Sequence, residues 1–166
     1  RWHSTFHYTG ATGFQEFKFV STGFGDVWRN QWAGNANVLL NEIGTFTFGS
    51  PADPNNRVNL TQGKWYTVVF EDRGYVNTRA IFMETSRQPV TISSVSHQPV
   101  LVGSGQPVEV TALLSNTPSA EERFFTRYTT NNWQTSTIVA MTGANNQRVA
   151  TIPGLINGTE VEYYVF

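Results

Sequence analysis

The sequence predicts an all-β chain of two β-sandwich domains in tandem, and three observations carry that expectation. Apolar and polar residues alternate with a period of 2 along most of the chain, and no helical period persists over about 11 residues. The composition favours strand and turn: 21 Thr, 14 Asn, and an aromatic share of 14% from 12 Phe, 6 Tyr and 5 Trp. Turn chemistry recurs at intervals of about 8–12 residues, the mark of a sandwich. A length of 166 residues suits one large domain or two small ones. The polar stretch Ser86-Arg87-Gln88-Pro89 places the boundary, because Pro89 cannot join a central ladder. The expected domains are therefore residues 1–87 and 88–166.

In the first half the alternation predicts strands at 2–8, 14–20, 38–41, 45–48, 57–60, 64–71 and 78–84. Gly10-Ala11-Thr12-Gly13, Pro51-Ala52-Asp53-Pro54-Asn55-Asn56 and Asp72-Arg73-Gly74 supply breaks between them. Residues 22–37 hold Gly23, Gly25, Gly34, Trp28 and Trp32 without alternation, and read as a long surface loop. In the second half the expected strands are 90–95, 108–114, 123–129, 136–141, 147–152 and 159–166. Gly103-Ser104-Gly105, Asn131-Asn132, Gly143-Ala144-Asn145-Asn146 and Asn157-Gly158 connect them, Asn157-Gly158 being the strongest hairpin signal. No repeat relates the halves.

Charge and composition exclude several classes. Charged residues make up 14%, the net charge is -1 and no Lys/Arg cluster occurs, so there is no electrostatic footprint for nucleic acid. No apolar run approaches the ~20 residues of a membrane-spanning helix, so no membrane insertion is expected. Without Cys there is no disulfide framework, thiolate nucleophile or Cys-ligated metal. The chain starts at Arg1 without a charged-then-apolar leader and stops within an apparent strand, Val161-Glu162-Tyr163-Tyr164-Val165-Phe166. It reads as a segment of something longer.

Two resemblances follow from particular residues. Ile92-Ser93-Ser94-Val95-Ser96-His97-Gln98-Pro99, Pro107-Val108-Glu109-Val110-Thr111-Ala112, Arg127-Tyr128-Thr129-Thr130, Trp133 and Ala140-Met141 come first. With the closing runs Val149-Ala150-Thr151-Ile152-Pro153-Gly154 and Gly158-Thr159-Glu160-Val161-Glu162-Tyr163-Tyr164-Val165, residues 90–166 resemble fibronectin-III/immunoglobulin-like modules of secreted bacterial glycoside hydrolases. The resemblance implies a seven-stranded sandwich acting as a spacer or docking unit beside a catalytic domain. Phe14-Gln15-Glu16-Phe17-Lys18-Phe19-Val20, the loop with Trp28 and Trp32, and Lys64-Trp65-Tyr66-Thr67-Val68-Val69-Phe70-Glu71-Asp72 resemble the framework of starch-binding β-sandwich modules. That resemblance implies a polysaccharide partner, an α-glucan such as starch, held by Trp28 and Trp32. The 44–56 loop departs from the pattern in its length, and the pattern's ligand-binding lysine has no clear counterpart here.

Trp28-Arg29-Asn30-Gln31-Trp32 is the leading candidate site. An exposed indole covers the C–H face of a sugar ring, while Arg29, Asn30 and Gln31 offer hydrogen bonds to its hydroxyl rim. The rival reading makes one Trp a plug at the open end of a sandwich. Trp133 in its hairpin is a second possible platform, though packing against hairpin neighbours is the commoner fate. Trp65 reads as core, Trp2 as core or sheet surface, His97 as a solvated loop residue, and Tyr75 has no evident task. His3 and His7 on a strand stand about 13 Å apart, too far for one ion, so no metal is expected. Asp53-Pro54-Asn55-Asn56 lacks the spacing of a calcium loop and reads as a turn.

No catalytic motif occurs, no cofactor is expected, and Glu71-Asp72 and Glu121-Glu122 point to opposite strand faces. The expected function is a non-catalytic, secreted or cell-surface glycan-binding and spacer region, working beside adjacent domains of the same chain. The rivals are a stalk or docking region without a ligand, and an accessory part of a glycoside hydrolase site with Asp26, Glu42 and Asp53 in one cleft.

Overall fold

A computed structural model describes residues 1–21, 30–35, 37–49, 54–75 and 77–166. Trp28, Arg29, Asp26 and Asp53 lie outside the described residues. The chain is all-β, with no helix among the described residues, and its internal contacts divide it into two compact units, Arg1–Gln88 and Pro89–Phe166.

The first unit runs β1 (Trp2–His7), β2 (Gly13–Phe17), β3 (Phe19–Val20), β4 (Gln31–Ala33), β5 (Ile43–Thr45), β6 (Thr47–Gly49), β7 (Asn56–Leu60), β8 (Trp65–Glu71) and β9 (Arg79–Thr85). A four-stranded sheet has the order β1-β8-β9-β5, and two smaller sheets are β2-β7 and β3-β4-β6. The period of 2 decides which side chains meet. Tyr66 and Val68 of β8 and Ala80 and Phe82 of β9 point inward, against Trp32, Val38, Phe46, Val58 and Leu60. Phe17 and Phe19 pack on this core, Phe19 at 4.2 Å from the Phe70 ring.

Several expectations change here. The predicted 14–20 strand breaks at Lys18 and serves two sheets, and 38–41 contributes only the single bridges Val38–Val58 and Leu40–Phe82. Trp65 is not core: it shares the outward face with Thr67 and Val69 and stacks on His7 at 5.0 Å. Alternation requires this, because Tyr66 and Val68 take the inward side.

The second unit runs β10 (Ile92–Gln98), β11 (Val108–Leu114), β12 (Phe125–Thr129), β13 (Thr137–Ala140), β14 (Gln147–Ile152) and β15 (Glu162–Val165). Its sheets are β10-β11-β14 and β13-β12-β15, six strands where the resemblance implies seven. Val110, Ala112 and Leu114 of β11 and Ala150 and Ile152 of β14 form the core with Phe124 and Met141, and Tyr128, Tyr163 and Val165 pack on it. Asn157-Gly158 turns the chain, with Gly158 at φ 84°, but makes no hairpin. The strands on either side of it, β14 and β15, belong to different sheets. His97 is likewise not a solvated loop residue: it lies within β10, and its Nδ1 is 2.9 Å from the Tyr163 hydroxyl.

Two tyrosines, Tyr66 fully buried and Tyr163 half-buried, couple stability to alkaline pH. Burial pushes the hydroxyls of Tyr66 and Tyr163 above the ordinary tyrosine range, and Tyr66 is held further by donating to Glu84 Oε2 at 2.5 Å. A raised folded-state pKa means that the native chain holds its proton more tightly than the unfolded one. The stability this contributes is complete below about pH 10 and is lost as pH rises through the folded values. Melting temperatures are expected to fall as pH rises above about 10, and by less in Tyr66→Phe than in the native chain.

Candidate functional site

The segment predicted as an exposed platform is built into the interior. Gln31, Trp32 and Ala33 are all buried in β4, the middle strand of its sheet, and Trp32 is 3% exposed. Asn30 precedes the strand, and its backbone carbonyl accepts from the Ser21 amide at 2.8 Å. A strand covered on both faces shows no alternation, which is why these residues read as loop. Trp32 and Gln31 are therefore not surfaces on which a sugar can lie.

Trp32 instead supports another ring. Tyr75 stacks on it almost parallel, at 5.6 Å and 10° between planes, and Phe48 closes the cluster edge-on to Tyr75 at 5.0 Å. Tyr75 itself is 39% exposed. Its backbone is held in the left-handed region at φ 74°, after Arg73 at 43° and Gly74 at 77°. A bulky residue rarely adopts that conformation unless its surroundings impose it. Here the Tyr75 amide donates to the Asp72 carbonyl at 2.9 Å. The Tyr75 carbonyl accepts from Trp32 Nε1 at 3.3 Å and from Thr78 Oγ1 at 3.1 Å. The sequence marked the turn at Asp72-Arg73-Gly74; nothing in it showed that Trp32 would hold the ring that follows.

A second exposed aromatic group lies on the outer face of β13-β12-β15. Trp133 leans on Tyr164 at 5.2 Å, and Tyr164 on Phe166 at 5.7 Å. Sequence reasoning named Trp133 but not Tyr164 or Phe166. Their signal was available, since Tyr163 and Val165 face inward and the alternate residues must face out.

The carboxylates with described partners are engaged in holding the fold. Glu16 accepts from Asn55 at 2.8 Å and from Arg57 at 2.7 Å, and these bonds, Asn55 foremost, keep its carboxyl below the ordinary range. Glu122 accepts from the Val90 amide and from Ser119, tying down the start of the second unit. Glu42 is exposed beside a shallow depression lined by Asn35, Asn37 and Ile43. Among the described residues, no three His, Asp or Glu gather as a metal site.

No protein-family model matches the chain, and no curated protein or solved structure matches it.

Proposed function

We propose that the chain is a non-catalytic polysaccharide-binding and spacer region of a secreted or surface glycan-degrading protein. It consists of two tandem β-sandwich modules, the second of fibronectin-III/immunoglobulin type, with an α-glucan as the favoured ligand of the first. The observation that supports this reading is the Tyr75 ring, stacked on the buried Trp32 and 39% exposed as a residue. A flat ring fixed in this way offers a sugar a stacking surface at little entropic cost. A shallow platform gives modest affinity, useful for raising local substrate concentration near an attached enzyme.

Affinity electrophoresis in soluble starch tests the reading, with Tyr75→Ala beside the native chain. One lost stacked ring is worth roughly 1.4 kcal/mol, so about tenfold weaker retardation is expected. The burial of Trp32 and Gln31 favours a second reading, a stalk or docking region with no ligand. Absence of retardation by any glycan supports that one.

A further inference from the structure

We infer that the second unit carries its own glycan-binding face, made by Trp133, Tyr164 and Arg127, and is more than a spacer. The strand register places these groups together. Arg127 of β12 stands opposite Tyr164 of β15 and Ile138 of β13, while Thr126 and Tyr128 take the inward side. The β12–β13 turn then brings Trp133 over the same row. Trp133, Tyr164 and Phe166 are 38%, 42% and 48% exposed, so the rings form a continuous strip open to solvent.

The turn that presents Trp133 is heavily braced. Asn132 and Trp133 both have left-handed backbones, at φ 51° and 62°. Thr129 Oγ1, on a buried residue, accepts from the Trp133 and Asn131 amides at 3.2 Å each. Asn131 Oδ1 accepts from the Thr135 amide at 3.0 Å, and its Nδ2 donates to Thr135 Oγ1 at 2.9 Å. An indole kept in a costly backbone state, yet left substantially in water, is not placed there to fill a core.

Arg127 gives the strip its polar character. Its Nε donates to Ser136 Oγ at 2.7 Å and its Nη1 to the Tyr164 hydroxyl at 3.0 Å, and its Cζ lies 5.7 Å from the Trp133 ring centre. No carboxylate pairs with it among the described residues. A guanidinium has five N–H donors, so three remain to meet acceptor oxygens beside the rings. Stacking faces next to an oriented, planar donor match a pyranose: the C–H face lies on the indole and phenol, and the rim oxygens accept from Arg127. Hydroxyl oxygens of neutral sugars and carboxylates of acidic sugars share this chemistry, and salt distinguishes them.

The test uses the full 166-residue chain against soluble starch, xylan, polygalacturonate and alginate. In a Tyr75→Ala background, which removes the platform of the first unit, retardation by at least one of these glycans is expected to persist. It should weaken about tenfold in Trp133→Asn, a substitution that suits a left-handed backbone and so keeps the turn. Arg127→Gln should weaken it as well, with partial recovery in Arg127→Lys. Retardation abolished at 0.5–1 M salt, where charges are screened within about 3–5 Å, assigns an acidic sugar, and retardation that survives assigns a neutral one. Loss of all retardation with Tyr75→Ala alone overturns this inference and leaves the first platform standing. Retardation unchanged in Trp133→Asn also overturns it, as does self-association in sedimentation that Trp133→Asn abolishes, which would make the strip a protein-docking face.

Discussion

Trp32→Ala is expected to destabilise the first unit by about 3–5 kcal/mol, the range for a large aromatic removed from a packed interior. The indole touches three rings, Phe48 at 5.4 Å, Phe70 at 5.1 Å and Tyr75 at 5.6 Å, and donates to the Tyr75 carbonyl. Its removal leaves a void that strands on both sides of β4 cannot close without moving. The same change withdraws the support of the Tyr75 ring, so glycan retardation falls together with stability. Trp32→Phe keeps much of the packing and is expected to lose clearly less. Urea unfolding followed by far-ultraviolet circular dichroism measures both. An exposed stacking residue gives the opposite result, with binding lost and the unfolding midpoint within about 0.5 kcal/mol of the native chain.

Asn56→Ala is expected to cost a further, separate ~2–5 kcal/mol. Asn56 is fully buried at the start of β7, and its amide joins two backbone groups that have to be satisfied. Its Oδ1 accepts from the Asn35 amide at 2.9 Å, and its Nδ2 donates to the Trp32 carbonyl at 2.9 Å. Truncation strips the buried Trp32 carbonyl of its partner, at about 1–3 kcal/mol, and the half-buried Asn35 amide of its own, at the lower part of that range. Asn56→Asp separates geometry from chemistry: it keeps the acceptor for Asn35 but places a carboxylate against the Trp32 carbonyl. Urea midpoints are expected to fall in both variants, with Asn56→Asp the lower of the two because a buried charge is added. Midpoints within 0.5 kcal/mol of the native chain would show that the Asn56 bridge is not formed.

Trp32 and Asn56 also show where reading the chain alone stops. The strands around Tyr66, Val68 and Phe82, and around Val110, Ala112 and Leu114, were legible because one face is buried and the other wet. The β4 segment was not, because a short central strand covered on both sides has no alternation to detect. Asn56 reads as turn chemistry beside Pro54, and its buried role depends on Asn35 and Trp32, more than 20 residues away in the chain. Trp65 was misplaced for a simpler reason: indoles favour interiors on average, yet the parity of its strand put it beside His7 instead.

By itself the sequence determined that the chain is all-β, which residues of the regular strands share a face, and where many of the turns fall. These are local properties, fixed by a side-chain period of 2 and by backbone preferences at Gly, Asn and Pro. Only the tertiary structure decided which aromatic rings are covered. It placed Trp32 under Tyr75, set Tyr163 against His97, and left Trp133 and Tyr164 open to water. Exposure depends on what the distant strands bring to each ring, and strand order is set by packing across the whole unit, not by any residue's neighbours in the chain.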